Sequence, residues 1–149
     1  MPDFELTSSA FDEGQPIPER YSCEGENASP PLSWSGPPEG TRSLALVLHD
    51  PDAPSGDFTH WVAWGIDPGA GGLEEGEHPP GEGANGFGEN GYGGPCPPPG
   101  HGAHRYQHEL FALDVEIDLD EGASREQLED AMDGHVLGGA ELLGTYERA

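Results

Sequence analysis

Lysine is absent from this chain, and its five basic residues, Arg20, Arg42, Arg105, Arg125 and Arg148, stand against 29 acidic ones in 149 residues, a formal net charge of −24 at pH 7. So few cations argue against nucleic-acid binding, because phosphate contacts draw on Lys and Arg and a field of this sign repels a polyanion. Without lysine there is no Gly-Lys-Ser/Thr ending of a phosphate loop, which excludes phosphoryl transfer by that route. No run approaches the roughly 18–20 apolar residues of a membrane span. The start, Met1-Pro2-Asp3-Phe4-Glu5, lacks the basic and then apolar regions of a signal peptide. A cytoplasmic protein with no transmembrane segment is expected. Cysteine is confined to Cys23 and Cys96, too few for a disulfide framework or a four-ligand zinc site. Two buried thiols, one bridge, or reactive groups near a pocket are all open, with buried reduced thiols the default for a cytoplasmic chain.

Only 33% of the residues are hydrophobic, and 24 Gly with 16 Pro make up about a quarter of the chain. Low hydrophobicity with high charge is the composition of disorder. Two features oppose that reading. The 11 Asp and 18 Glu are spread along the chain with no long block of one sign, which suits a surface solvated in molar salt, where the Debye length is about 3 Å. The apolar residues, moreover, gather in short runs between turn residues, the pattern of a β-rich domain. The length suits one domain over 1–149.

Leu44-Ala45-Leu46-Val47-Leu48 is continuous enough for a strand buried on both faces. Strands are also expected over 60–66, 104–115 and 141–146, with Phe4-Glu5-Leu6 as a first edge strand. Ser124-Arg125-Glu126-Gln127 has capping-box spacing, and Leu128, Ala131, Met132 and His135 recur at helical intervals before an exit at Gly138-Gly139 or earlier at Gly134. Between Gly65 and Gly102 lie 21 of the 40 Gly and Pro residues. A stretch so rich in chain breakers reads as a shaped loop, since prolines restrict the chain and glycines let backbone approach a ligand.

Three places carry residues suited to chemistry. Asp50-Pro51-Asp52-Ala53-Pro54 directly follows the buried strand, and reads either as an exposed turn or as a stiff corner holding carboxylates. His60 opens the next strand beside Trp61, as a packed core histidine or a site residue. In an extended strand His104, Tyr106 and His108 share one face and Arg105 and Gln107 the other, a donor-rich wall suited to an anion. Neither a His-Glu-x-x-His helix nor a Cys-x-x-Cys pair accompanies these histidines, so no metal is expected, and no serine sits in a Gly-x-Ser-x-Gly elbow. Together they describe a small Asp/His/Tyr cavity, in which a hydrolase using His60 and His104 as acid and base is the enzymatic alternative.

These segments, in this order, resemble the phosphatidylethanolamine-binding protein family, in its bacterial and archaeal Raf kinase inhibitor-like branch. Asp50-Pro51-Asp52-Ala53-Pro54 with His60-Trp61 matches one signature, and Gly94-Pro95-Cys96-Pro97-Pro98-Pro99-Gly100 with His104-Arg105-Tyr106 the second. The stretches 17–27, 29–34 and 140–146 also fit. The resemblance implies a mainly β antiparallel sandwich with Greek-key connections and one or two short helices. It implies a pocket for phosphate, acetate or a phosphoethanolamine head group, formed by Asp50, Asp52, His60, His104 and Tyr106, rimmed by Pro97 and Pro98, with backbone near Cys96 as a donor. His108 stands where the branch usually has an apolar residue. Non-enzymatic ligand binding with a regulatory role is implied, with no cofactor, a homodimeric state, and a serine protease or kinase as the inhibited partner.

Overall fold

The computed structural model describes residues 4–54 and 56–148. Its strands pair antiparallel into two sheets. β1 (Glu5–Thr7), β2 (Leu32–Ser35) and β5 (Gly72–Leu73) form the smaller, in the order β1-β2-β5. The larger runs β6 (Gly81–Glu82), β4 (Phe58–Ile66), β3 (Ser43–Asp50), β7 (His104–Leu113), β8 (Val136–Tyr146). In it the chain passes β3, β4 and β6 and then returns by a long connection to place β7 beside β3, the Greek-key order.

The apolar run of β3 explains the layering. Leu44, Leu46 and Leu48 pack between the sheets with Leu6, Leu32, Trp34 and Leu73, while Ala45 and Val47 lie on the opposite face under the helix. That helix, α1 (Arg125–Met132), starts on a complete capping box: Gln127 N donates to Ser124 Oγ at 3.0 Å and Ser124 N to Gln127 Oε1 at 2.9 Å. Leu128 and Met132, one turn apart, bury its inner face against Val62 and Trp64. No helix among the described residues is long and apolar enough to cross a membrane.

Some boundaries differ from the sequence expectation. The helix stops at Met132, before Gly134 (φ +82°), so His135 lies beyond it. Gly138 and Gly139 are no helix exit; they sit within β8 opposite Ala112 and Phe111, and β8 therefore starts five residues earlier than its apolar run suggested, at Val136 instead of Glu141. The ladder to β7 overrides the weak strand preference of glycine there. β7 ends at Leu113, short of residue 115. Inside the Gly- and Pro-rich segment the two-residue strands β5 and β6 carry too few side chains for any periodicity to reveal them.

Candidate functional site

Because neighbouring strands run antiparallel, the last residue of β3 and the first residues of β4 and β7 meet at one end of the larger sheet. Asp50 has the parity of Leu44, Leu46 and Leu48 and so turns toward the space between the sheets. His104 and Tyr106 share the inward face of β7 with His108, Leu110 and Ala112, as their alternation implies. His104 Nδ1–H donates to Asp50 Oδ2 at 2.7 Å, and the Asp52 amide donates to Asp50 Oδ1 at 2.7 Å. Asp50 is 3% and His104 2% exposed, so this hydrogen-bonded pair is buried, and both Asp50 carboxylate oxygens are bonded.

His60 reaches the same place by a β-bulge. From Leu48 to His49 the β3 strand advances one residue while its partner moves from Trp61 to Thr59, leaving His60 as the extra residue. Strict alternation from Trp61 would send His60 to the helix side with Val62. The bulge instead sets its ring 5.3 Å from that of Tyr106 and 4.9 Å from that of Phe58. His60 Nδ1–H donates to the Gly93 carbonyl at 2.7 Å. Burial pushes the His60 imidazole down from its ordinary value, against the opposing pull of that carbonyl and of Asp50, so the neutral ring presents Nε2 as an acceptor. Tyr106 is 0% exposed and its hydroxyl has no hydrogen-bond partner within 3.5 Å among the described residues. Burial first, and the Asp50 charge second, raise the phenol far above its usual range and keep it a neutral donor.

These groups line a cavity of about 250 Å³. Its other wall is apolar, made by Ala53, Pro54, Phe58, Phe87, Cys96, Pro97 and Pro98. A disulfide joins Cys96 to Cys23 with their Cα atoms 5.4 Å apart. The expectation of reduced thiols is corrected: the segments 21–27 and 91–96 also bond through Cys23 N to Pro95 O at 3.1 Å and Gly94 N to Asn27 Oδ1 at 2.8 Å, which brings the two sulfurs together. A Cβ on Gly94 would collide with Tyr21 O and Asn27 Oδ1, so only glycine permits this approach.

Asp50, His60, Cys96, Pro97, Pro98, His104 and Tyr106 thus come together, and Asp52 does not. Its carboxylate faces the outer side of β7, where Arg105 grips it with Nε and Nη2 at 2.9 Å each and the Arg105 amide adds a third bond at 2.9 Å. That fork holds the Asp52 carboxyl down at about 2. His108 lies deeper, 1% exposed, with Nδ1 on Leu142 O at 3.0 Å and its ring against Phe11. Three participants carried no sequence signal strong enough to select them: Phe58 and Phe87 on the apolar wall, and His101, whose Nδ1 meets His104 Nε2 at 2.6 Å. Among the described residues no group of three or more His, Cys, Asp or Glu is placed to hold a metal ion.

The architecture defines a class first: an antiparallel two-sheet sandwich with a small acid, imidazole and phenol cavity at one end of its larger sheet. The chain belongs to the phosphatidylethanolamine-binding protein family, which it matches over residues 7–147. A UPF0098 protein of Methanothermobacter thermautotrophicus is 52% identical over 150 residues, covering 96% of this chain and 98% of that protein. The crystal structure of the family homologue CT736 from Chlamydia trachomatis superposes with a TM-score of 0.94 at 44% identity, covering 100% of both chains. Escherichia coli YbcL gives 0.92 at 32% identity over 99% of this chain and 100% of that one.

Proposed function

We propose that this protein is a non-enzymatic binding module, with a regulatory role, for a small molecule carrying a phosphate or carboxylate, such as a phosphoethanolamine-like head group. The observation that carries the reading is the buried, unpartnered Tyr106 hydroxyl beside the Asp50–His104 pair in a 250 Å³ cavity. A buried O–H without a partner is costly, and an anionic oxygen would satisfy it. The neutral His60 Nε2 suits a ligand O–H, as on a monoprotonated phosphate, and the Phe58 and Phe87 rings suit an organic or ammonium arm. Calorimetric titration with phosphoethanolamine in molar KCl should show saturable binding, weakened about tenfold by Tyr106→Phe, the worth of one hydrogen bond to a charged group. Equal affinities would contradict the assignment. Phosphate and carboxylic esters should survive long incubation with the protein.

A second reading rests on Phe87, which is 45% exposed at the cavity rim: the rim docks on a serine protease or a kinase and inhibits it. Inhibition assays against purified enzymes of both kinds, with Phe87→Ala as the weakened variant, separate it from simple ligand binding. We assign the protein to the cytoplasm and to a homodimeric state. Sedimentation equilibrium checks the second. The Cys23–Cys96 bridge tests the first, because disulfides persist mainly in oxidising compartments: a pair protected from thiol alkylation in intact cells would contradict the cytoplasmic assignment.

A further inference from the structure

We propose that His101 is a gate on the anion site, resting on the reading above of the cavity as such a site. His104 has one ring nitrogen fixed, because Nδ1 is committed to Asp50 in a pair whose side chains are 2% and 4% exposed. Only Nε2 is left to serve a ligand, and His101 Nδ1 already holds it at 2.6 Å, ring edge to ring face with centroids 4.8 Å apart. An anion entering the cavity therefore gains His104 only by taking this bond over.

The surroundings of His101 let it yield. It precedes β7 and is exposed, whereas His104 is locked in the ladder to β8. Its turn is anchored through the backbone, by Gly100 N to Arg148 O at 3.0 Å and His101 N to Pro98 O at 3.1 Å, so the side chain can leave without the turn unravelling. Gly100 (φ +74°) and Gly102 (φ +90°) flank it in left-handed backbone, and nothing lies within 4 Å of where a Cβ on either would stand. The imidazole is itself exposed and can swing out into solvent. A molecule that brings no polar oxygen cannot replace the bond that His101 gives up, so the gate favours a ligand with hydrogen-bonding oxygens.

The test compares wild type with His101→Ala, a change at an exposed position that leaves the core intact. Inorganic phosphate titrated calorimetrically in molar KCl should bind the variant about two- to tenfold tighter, the release of one net hydrogen bond. Equal or weaker binding by the variant overturns the gate. A second readout needs no ligand: diethyl pyrocarbonate should modify His104, mapped by peptide mass, faster in the variant than in wild type, and an unchanged rate also overturns the proposal. If neither protein binds phosphate, the anion reading falls, and the modification rate alone decides whether His101 shields His104.

Discussion

Asp50, His60, His104 and Tyr106 stand on strands of the five-stranded sheet, whereas Cys96, Pro97 and Pro98, across the cavity from them, belong to a segment with no strand partner among the described residues. The strand wall takes its precision from ladders that fix each backbone, and one bulge re-aims His60. The loop wall reaches a defined shape by other means: a disulfide spanning 73 residues, consecutive prolines, and carbonyls and amides tied to neighbouring loops. Polar groups that must hold a distance sit on the first wall, and the apolar surface that shapes the rim sits on the second.

The largest expected effect strikes both walls at once. With a net charge of −24, dilution from molar salt lengthens the Debye length from about 3 Å to about 30 Å at 0.01 M and releases the self-repulsion of the carboxylates. Dialysis into dilute buffer should abolish cooperative thermal unfolding followed by circular dichroism; a sharp transition there would show that the charge has another purpose. Next comes the strand wall alone. His104→Ala leaves the Asp50 carboxylate buried without its partner and should lower stability in urea by about 3–5 kcal/mol. A loss below 1 kcal/mol, roughly the value of a surface pair, would mean that the pair is solvated.

Opening the Cys23–Cys96 bridge targets the loop wall. Cys23→Ser with Cys96→Ser should lower stability by about 2–4 kcal/mol, and limited proteolysis should then cut within 91–103 before any strand. First cleavage within β3 or β7 would erase the distinction between the walls. The smallest effect lies beneath the strand wall, where burial holds His108 down at about 4 against an ordinary 6.5. The unfolded chain therefore binds the extra proton between those values, so stability falls as pH drops from 6.5 to 4, by at most about 3 kcal/mol. His60, also held down by burial, contributes in the same direction. His108→Phe should flatten the slope of urea midpoint against pH; an unchanged slope would place the acid sensitivity elsewhere.

The two walls also differ in how far the amino-acid sequence discloses them. Alternation along β7 and the unbroken apolar run of β3 state which side chains share the interior, and the Ser124 to Gln127 spacing announces the helix cap. Nothing local announces that β4 advances by an extra residue at His60, since a bulge is a property of strand pairing. Nor does local sequence announce that Asp52 turns to Arg105, a residue 53 positions away on the outer face of β7. The bridge was equally hidden, because two cysteines 73 residues apart meet only once the loops carrying Tyr21 and Gly94 have docked. His101 gives no sequence signal because an exposed turn histidine looks the same whether or not its ring meets that of His104.

The central claim is that a small anion sits between these walls, on His60 and His104. Titrating inorganic phosphate into the protein in molar KCl while following the imidazole nitrogens by NMR tests it residue by residue. Saturable shifts at His60 and His104, with the exposed His78 and the half-buried His135 unmoved, are predicted; no saturable shift, or equal small drifts at every histidine, would contradict it.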